Sequence, residues 1–382
     1  MKKVTFICDR SLDNQLNKLE QIADRSSLVN HLVHGYGLNS KLIVLKNVIA
    51  KDDEVLSFHS TDYINHLKDL NDVKDIDEHE DNEEEYGLGY DCPLIYGIFD
   101  YVSAVVGSSL TAARSLIDGS ANIAINWYGG WHHAQRDEAR GFCYANDIVC
   151  AINLLRQKFQ RVLYIDLDIH HGDGVENAFE YSQNVLTFSL HKYEVGFYPG
   201  SGAITDVGRG NGKFYSVNVP LKDGIRDEAY TKIFNRLLEV LMQAFHPDTL
   251  VVQCGCDSLA GDPLGTFNLT LKGYGNCVKT ILSWQKPTLF LGGGGYNITN
   301  AARCWTYLTS LILGCNIATD IPDNHFFERY GPGFDLDIAE GNRPDCNSED
   351  DIDNCISIIT GTQLICFRHY LFVQCDSKNN IA

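Results

Sequence analysis

The chain has 382 residues, 44% of them hydrophobic, which is enough to fill the core of one large domain. Its formal charge of −19 can serve solubility alone, but it also argues against direct nucleic-acid binding and favours basic partners such as Lys-rich peptides. The 13 cysteines have no regular spacing, which argues against a disulfide framework and predicts a reducing compartment, the nucleus or the cytoplasm.

Strand and helix patterns alternate along the chain. In chain order, the sequence predicts strand 4–8, helices 26–36, 59–70 and 98–117, strand 123–127, helix 146–158, strands 161–165, 185–190 and 215–219, helix 228–245, strands 250–255 and 287–291, and helix 301–313. Alternating units with continuously apolar strands predict an α/β fold with a mostly parallel central sheet and helices on both faces. We expect a single large domain over residues 1–355, followed by a C-terminal segment, 356–382, for which no structure is predicted.

Two loops and the lack of a long apolar run complete this outline. Residues 72–85 are densely acidic and lack periodicity, which predicts a surface loop. Residues 86–93, Y-G-L-G-Y-D-C-P, predict an ordered loop near a site. No apolar run reaches the roughly 18 residues of a membrane span, so we expect no membrane partner. The apolar segment that follows Met1 is too short for a secretory signal.

The stretch 164–174, Y-I-D-L-D-I-H-H-G-D-G, places ionisable side chains directly after a predicted buried strand. Buried carboxylates are costly unless a cation or a hydrogen-bond donor compensates them. Asp168 and His170 lie two residues apart, so in an extended chain they point the same way and offer two ligands to a divalent metal. A salt-bridged strand end would explain a lone D-x-H, but five metal-binding or ionisable side chains within eight positions favour the metal site.

Three more loops carry reactive groups, and each follows a predicted strand. They contain His132 and His133, Asp257 and Asp262, and Tyr296. Because ligands bind beyond the carboxyl ends of the strands in an open α/β sheet, we expect these side chains to converge at one edge. Taken singly, each has a structural explanation as a core histidine, a helix cap or a packed aromatic ring. Together they favour an active site.

Four motifs resemble those of the class I zinc-dependent histone deacetylases in their order and spacing. They are G-G-W-H-H-A, Y-I-D-L-D-I-H-H-G-D-G-V, G-D-P-L-G-T-F-N-L and L-G-G-G-G-Y-N, and the resemblance covers roughly residues 20–345. It implies the arginase–deacetylase fold and hydrolysis of the acetyl, or a longer acyl, amide of N6-acyl-lysine. The implied partners are acetylated lysine-containing proteins or peptides such as histones, in the nucleus and cytoplasm.

The resemblance implies one divalent metal ion and two potassium ions. It assigns zinc to Asp168, His170 and Asp262, a mixed ligand set that leaves room for a water and is not selective enough to exclude iron. The first potassium site would use Asp166, Asp168, His170, Ser189 and Leu190. The second would use Phe179, Ser182, Val185 and Tyr215.

The resemblance also assigns catalytic roles around the metal. His133, paired with Asp173, would be the main general base and acid, because the carboxylate fixes the imidazole tautomer. His132, paired with Asp166, would act mostly through its charge. Tyr296 would donate its phenol proton to the oxyanion that forms from the amide.

A narrow channel would lead the substrate to these groups. The resemblance places Asp91 at the rim, where its carboxylate would accept backbone N–H groups of the peptide. Phe142 and Tyr198 would line the channel, with Tyr198 standing where the family usually has Phe, and the Gly141 carbonyl would accept the lysine N–H. Leu264, two residues after Asp262, offers an apolar wall where a polyamine-preferring relative carries an acidic side chain.

Two alternatives to a protein deacetylase stay open from the sequence. One is a small-molecule amidohydrolase of the same fold that acts on acetylpolyamines. The other is a catalytically inactive scaffold that binds acetylated tails, although the intact reactive side chains argue against it. The sequence does not reveal an oligomeric state.

Overall fold

The computed structural model describes residues 2–73 and 85–362, and the described strands form one eight-stranded sheet. In chain order the strands are Val4–Ile7 (β1), Ile43–Leu45 (β2), Ile123–Asn126 (β3), Val162–Asp166 (β4), Val185–Lys192 (β5), Ser216–Leu221 (β6), Thr249–Gln253 (β7) and Thr288–Leu291 (β8). Their order across the sheet is β2-β1-β3-β8-β7-β4-β5-β6, and every neighbouring pair is parallel. The predicted parallel α/β sheet is therefore confirmed.

Helices cover both faces of the sheet. They are Arg10–Leu16 (α1), Arg25–Gly35 (α2), Asp52–Val55 (α3), Thr61–Asp69 (α4), Ile98–Ile117 (α5), Asp147–Leu155 (α6), Asp173–Phe179 (α7), Asp227–Phe245 (α8), Leu271–Ser283 (α9), Ile298–Ile312 (α10) and residues 349–362 (α11). Alternate residues of β4 join different cores: Leu163 and Ile165 pack with α8, α9 and α10, whereas Val162 and Tyr164 pack with α5 and α6. This two-sided burial explains why the strands are apolar at nearly every position.

The sequence prediction misses several elements whose local signals are weak, namely β2, α1, α3, α7, α9 and α11. Strand β2 has only three residues, with Ile43 and Val44 about half exposed, and it lies at an edge of the sheet. Helix α1 is a short helix capped by Asp9. Helix α9 contains Gly273 and Gly275, which lower helix propensity. At Gly275 a side chain would clash with Tyr307, so close packing against α10 requires the glycine.

The C-terminal helix α11 packs on the main core through Ile352, Cys355 and Ile359. The predicted domain boundary at residue 355 falls inside this helix. Residues 363–382 and the acidic residues 74–84 lie outside the described residues, so the predictions made for them are not addressed by the structure. No helix among the described residues is both long enough and apolar enough to cross a bilayer.

The order of the central strands brings the reactive loops together. Strands β3, β8, β7 and β4 are consecutive in the sheet and all run in the same direction. The loops that follow them carry, respectively, His132 and His133, Tyr296, Asp257, and Asp168. Their side chains consequently meet at the carboxyl edge of the sheet, as the sequence predicted.

Candidate active site

Two His–Asp pairs lie side by side at this edge. His132 Nδ1 donates to Asp166 Oδ2 at 2.8 Å, and His133 Nδ1 donates to Asp173 Oδ1 at 2.7 Å. The two Nε2 atoms are 3.0 Å apart. Because each Nδ1 proton is committed to a carboxylate, a hydrogen bond between the Nε2 atoms requires one proton on one of them. The two imidazoles together therefore carry one positive charge.

The surroundings decide which imidazole carries that charge. Burial lowers the pKa of His132, but the charges of Asp166 and Asp168 outweigh burial and raise this pKa to about 9. Burial and the neighbouring charge of His132 lower the pKa of His133 to about 4, although its hydrogen bond to Asp173 opposes this shift. At neutral pH His132 is charged and His133 is neutral, so the Nε2 of His133 is able to accept a proton.

A buried carboxylate holds the loop that carries both histidines. Asp147, at the start of α6, accepts the backbone N–H of Gly130 at 3.0 Å and that of Trp131 at 2.9 Å. It also accepts the hydroxyl of Ser109. A Cβ on Gly129 would lie 2.3 Å from the Asp147 carboxylate, so the close approach of the loop requires glycine.

The structure brings three buried side chains together as candidate metal ligands: Asp168, His170 and Asp257. One ligand atom from each lies within 4.8 Å of the other two. His170 Nδ1 is 3.1 Å from Asp168 Oδ1 and 3.0 Å from Asp257 Oδ2. The cluster contains two of the predicted zinc ligands, Asp168 and His170, with Asp257 as its third member.

The predicted third ligand, Asp262, does not belong to this cluster. It is buried, but its carboxylate accepts the backbone N–H groups of Leu264 at 2.9 Å, Tyr296 at 2.7 Å and Asn297 at 3.1 Å. It therefore ties its own loop to the loop that carries Tyr296. The structure corrects the predicted ligand set by placing Asp257, five residues earlier in the same loop, in the position assigned to Asp262.

The electrostatics of the cluster fit a divalent cation. Burial and repulsion from Asp168 raise the pKa of Asp257 to about 7. Burial lowers the pKa of His170, but Asp257 and Asp168 raise it to about 10, so the imidazolium supplies the positive charge that the carboxylates require. Two crowded carboxylates and an imidazole form the kind of mixed oxygen and nitrogen ligand set that binds zinc.

One cavity of about 320 Å³ joins the reactive groups to the surface. All of the predicted substrate-binding residues line it together with His133, His170 and Tyr296: Asp91, Gly141, Phe142, Tyr198 and Leu264. Leu264 is 42% exposed and supplies apolar surface. The predicted channel residues thus share one cavity, and their individual roles stay predictions.

Aromatic rings form much of the cavity wall. Tyr198 meets the ring of His133 edge-on with centroids 4.9 Å apart, and Phe142 meets Tyr296 edge-on at 5.6 Å. Phe197, which was not predicted as a site residue, stacks on His170 with parallel rings 5.2 Å apart. The only sequence signal for Phe197 was its position next to Tyr198 in the aromatic loop. The sequence of a loop does not show which way a single side chain points.

Hydrogen bonds within the protein hold the loop around Gly141 at the cavity. Asp91 accepts the backbone N–H of Gly141 at 2.8 Å, which is an intramolecular contact at the position predicted to bind peptide N–H groups. The Gly141 carbonyl accepts the Cys143 thiol at 3.3 Å. Gly141 has φ +55°, and a Cβ there would lie 2.6 Å from His133, so a larger residue would displace the His133 ring.

Tyr296 stands on a glycine-rich support that a buried cation holds. Arg25 is 2% exposed and donates to the Gly295 carbonyl at 2.8 Å, while its guanidinium lies 4.8 Å from the ring of Trp305. Burial and the charges of Asp257 and Asp168 keep the pKa of Tyr296 well above its usual value. Its phenol therefore retains its proton at neutral pH.

The predicted potassium residues form two sets, one at the carboxyl ends of β4 and β5 and one where α7 ends and where β5 and β6 begin. In the first set, Asp166 of β4 is in register with Ser189 of β5. In the second, the Phe179 carbonyl accepts the Ser182 N–H at 2.8 Å and the Tyr215 carbonyl accepts the Thr187 N–H at 2.9 Å. The potassium assignments stay predictions.

Residues 19–312 match the histone deacetylase domain family. The chain is 49% identical over 349 residues to histone deacetylase 8 of Xenopus tropicalis, which covers 90% of this chain and 93% of that protein. It is 46% identical over 364 residues to histone deacetylase 8 of Danio rerio, covering 94% and 95% of the two chains. Identity to histone deacetylase 1 of Homo sapiens is 44% over 326 residues, covering 85% of this chain and 67% of that protein.

Proposed function

The chain belongs to the histone deacetylase family, and on that premise we propose that it is a protein lysine deacetylase that hydrolyses the amide of N6-acetyl-lysine. The observation that carries the proposal is the meeting of two groups at one cavity, each through one lining residue, His133 and His170. The two groups are the His132–His133 pair and the Asp168–His170–Asp257 cluster. A base next to a candidate metal site is the arrangement needed to attack an amide with water.

His133 is the proton-transfer group in this proposal. Its neutral Nε2 takes a proton from the attacking water and later returns a proton to the lysine amine that leaves. Its Nδ1–H stays bound to Asp173, whose second oxygen accepts Arg140 at 3.2 Å and Gln135 at 3.3 Å. These contacts fix the orientation of the imidazole. The charged His132 stabilises the negative charge that develops beside it.

Asp168, His170 and Asp257 would hold the divalent ion, which we propose to be zinc. A bound zinc ion would activate water and polarise the amide carbonyl. The Asp168 carboxylate also accepts Gln253 Nε2 at 2.8 Å and the Gly294 N–H at 2.9 Å, so it is held by protein donors. Potassium at the two predicted sites, and iron in place of zinc, remain part of the proposal.

Tyr296 and the cavity wall position the substrate. The protonated phenol of Tyr296 donates to the oxygen of the amide as negative charge develops on it. The rings of Phe142 and Tyr198 offer flat apolar surface to the methylene groups of a lysine. Leu264 extends this apolar surface at the mouth.

Acetylated histones or other acetylated proteins are the proposed substrates, in agreement with the names of the relatives. The net charge of −19 favours Lys-rich peptides over nucleic acid as direct partners. A role in the nucleus in transcription follows from such substrates, and action in the cytoplasm is part of the same proposal.

The test is a measurement of kcat/KM on acetyl-lysine peptides, longer acyl-lysine peptides and N8-acetylspermidine, with the zinc, iron and potassium contents of the same sample. We expect peptides to be preferred and turnover to be lost in His133→Ala. Preference for acetylspermidine would favour the small-molecule amidohydrolase instead. Absence of turnover on every substrate by zinc-loaded protein would favour the inactive scaffold.

A further inference from the structure

A second cavity lies next to the His133–Asp173 pair. It has a volume of about 690 Å³ and shares no lining residue with the candidate active-site cavity among the described residues. Binding sites for small molecules typically enclose about 300–1,000 Å³. We call this cavity the arginine cleft, after Arg136 and Arg156, which line it.

The charge of the arginine cleft is opposite to that of the whole protein. Arg136 and Arg156 are its charged lining residues, and no carboxylate lines it within the described chain. Neither guanidinium forms an ion pair or a side-chain hydrogen bond with another described residue. Two arginines without acidic partners on a protein of charge −19 favour an anionic ligand, and Arg binds phosphate well because its planar group donates two parallel hydrogen bonds.

Amide side chains make up most of the remaining polar wall. They are Gln135, Asn153, Asn177, Gln183, Asn184 and Asn211. An amide both donates and accepts hydrogen bonds, as a hydroxyl group does, so a wall of amides suits a ligand that is rich in hydroxyl groups. Tyr181, 61% exposed, adds the flat face of an aromatic ring.

We propose that the arginine cleft binds a phosphorylated sugar. The arginines would bind the phosphate groups, the amides the sugar hydroxyls, and the ring of Tyr181 an apolar face of the sugar. Duplex nucleic acid is a poor fit, because a protein of charge −19 repels a long polyanion outside the cleft.

Hydrogen bonds connect the cleft to the catalytic base. Asn177 Nδ2 donates to Gln135 Oε1 at 3.0 Å, and Gln135 Nε2 donates to Asp173 Oδ2 at 3.3 Å and to the His133 carbonyl at 3.0 Å. A ligand that engages either amide therefore competes with a contact that orients the Asp173 carboxylate. Occupancy of the cleft would change kcat through His133.

Isothermal titration calorimetry of the metal-loaded enzyme with fructose 1,6-bisphosphate tests binding. The potassium concentration is held constant, because Phe179 and Ser182, two residues of the second predicted potassium site, also line the cleft. We expect a Kd of about 1 mM or tighter, and no binding of unphosphorylated fructose. Arg136→Gln and Arg156→Gln should each weaken binding about tenfold. Arg236→Gln removes an exposed arginine of α8 outside the cleft and should leave the affinity unchanged.

The proposal would be overturned by no heat of binding at about 10 mM ligand, or by equal affinity in the wild type and both cleft variants. Fructose binding as tightly as its bisphosphate would also reject recognition of phosphate. Calorimetry does not depend on turnover, so an inactive enzyme that still binds would count against the proposed function alone. The hydrogen-bonded connection to His133 is tested by measuring kcat with and without the bisphosphate. The ratio of the two values should differ from 1 in the wild type and return to 1 in Gln135→Leu, which lacks the amide that contacts Asp173.

Discussion

The two adjacent histidines have the same side chain and the same kind of partner, yet their surroundings make His132 cationic and leave His133 neutral. His132 lies beside Asp166 and Asp168, and its pKa is raised to about 9. His133 lies beside the cavity, and its pKa is lowered to about 4. Asp173, the partner of His133, also accepts Arg140 and Gln135, whereas Asp166 accepts the hydroxyl of Tyr164 at 2.6 Å.

In the proposed mechanism this difference gives the two pairs different tasks. A cationic imidazole cannot accept a proton, so His132 would contribute its charge. A neutral imidazole with its Nδ1 proton committed to Asp173 can accept at Nε2. The charges that raise the pKa of His132 are Asp166 and then Asp168, whose carboxylate lies 3.9 Å from His132 Nε2.

The largest loss of activity should follow removal of a carboxylate from the candidate metal cluster, Asp168 or Asp257. Asp168→Ala and Asp257→Asn should each lower bound zinc and reduce kcat/KM by about 10³-fold or more, because activation of water and of the carbonyl is lost. Metal content and activity are measured on the same samples. Asp262→Asn is the matched control and should keep its zinc, because this carboxylate accepts backbone N–H groups. Zinc lost from the Asp262 variant but kept in the Asp257 variant would restore the ligand set predicted from sequence.

Exchanging the two histidines for alanine tests the comparison directly. A positioned acid or base contributes roughly 10²–10⁴-fold, so His133→Ala should lower kcat within that range and by more than His132→Ala. Steady-state kinetics on an acetyl-lysine peptide gives both values, and circular dichroism checks that both variants fold. Equal losses, or a larger loss at His132, would reverse the assignment.

Tyr296→Phe isolates a donor that belongs to neither pair. Loss of one oxyanion donor typically costs about 10²–10³-fold in kcat, and we expect a loss of that size here. Binding of a hydroxamate inhibitor, measured by calorimetry, should persist because Asp168, His170 and Asp257 are intact. Activity close to that of the wild type would exclude the phenol as the donor.

The smallest effect concerns substrate choice at the mouth of the cavity. Leu264→Glu should shift the ratio of kcat/KM for N8-acetylspermidine over peptide upward by about tenfold, since a second ammonium gains a nearby anion. Leu264→Gln has nearly the same shape without the charge and should shift the ratio much less. A wild-type enzyme that already prefers acetylspermidine would show that Leu264 does not select peptides.

Much of this site could be predicted from strands and the residues that follow them. The apolar run before Asp166 predicted β4, and the neighbouring loops predicted the convergence of His133 and Tyr296. The three-residue strand β2 and the glycine-containing helix α9 were not predicted, because edge position and helix packing stabilise them rather than local propensity. Phe197 was missed for a similar reason, since its stacking on His170 depends on the path of a loop.

The sequence by itself determined the type of fold and which loops would supply the reactive side chains. The hydrophobic pattern of each strand is a local property, and in a parallel sheet the loops that follow the strands all lie at the same edge. Only the tertiary structure decided which carboxylate of the 255–263 loop joins His170. Asp257 faces His170 Nδ1 at 3.0 Å and Asp262 faces backbone N–H groups, a choice set by the direction of each side chain as it leaves the loop. The charges of His132 and His133 were decided in the same way, because a pKa depends on burial and on neighbours that are distant in sequence.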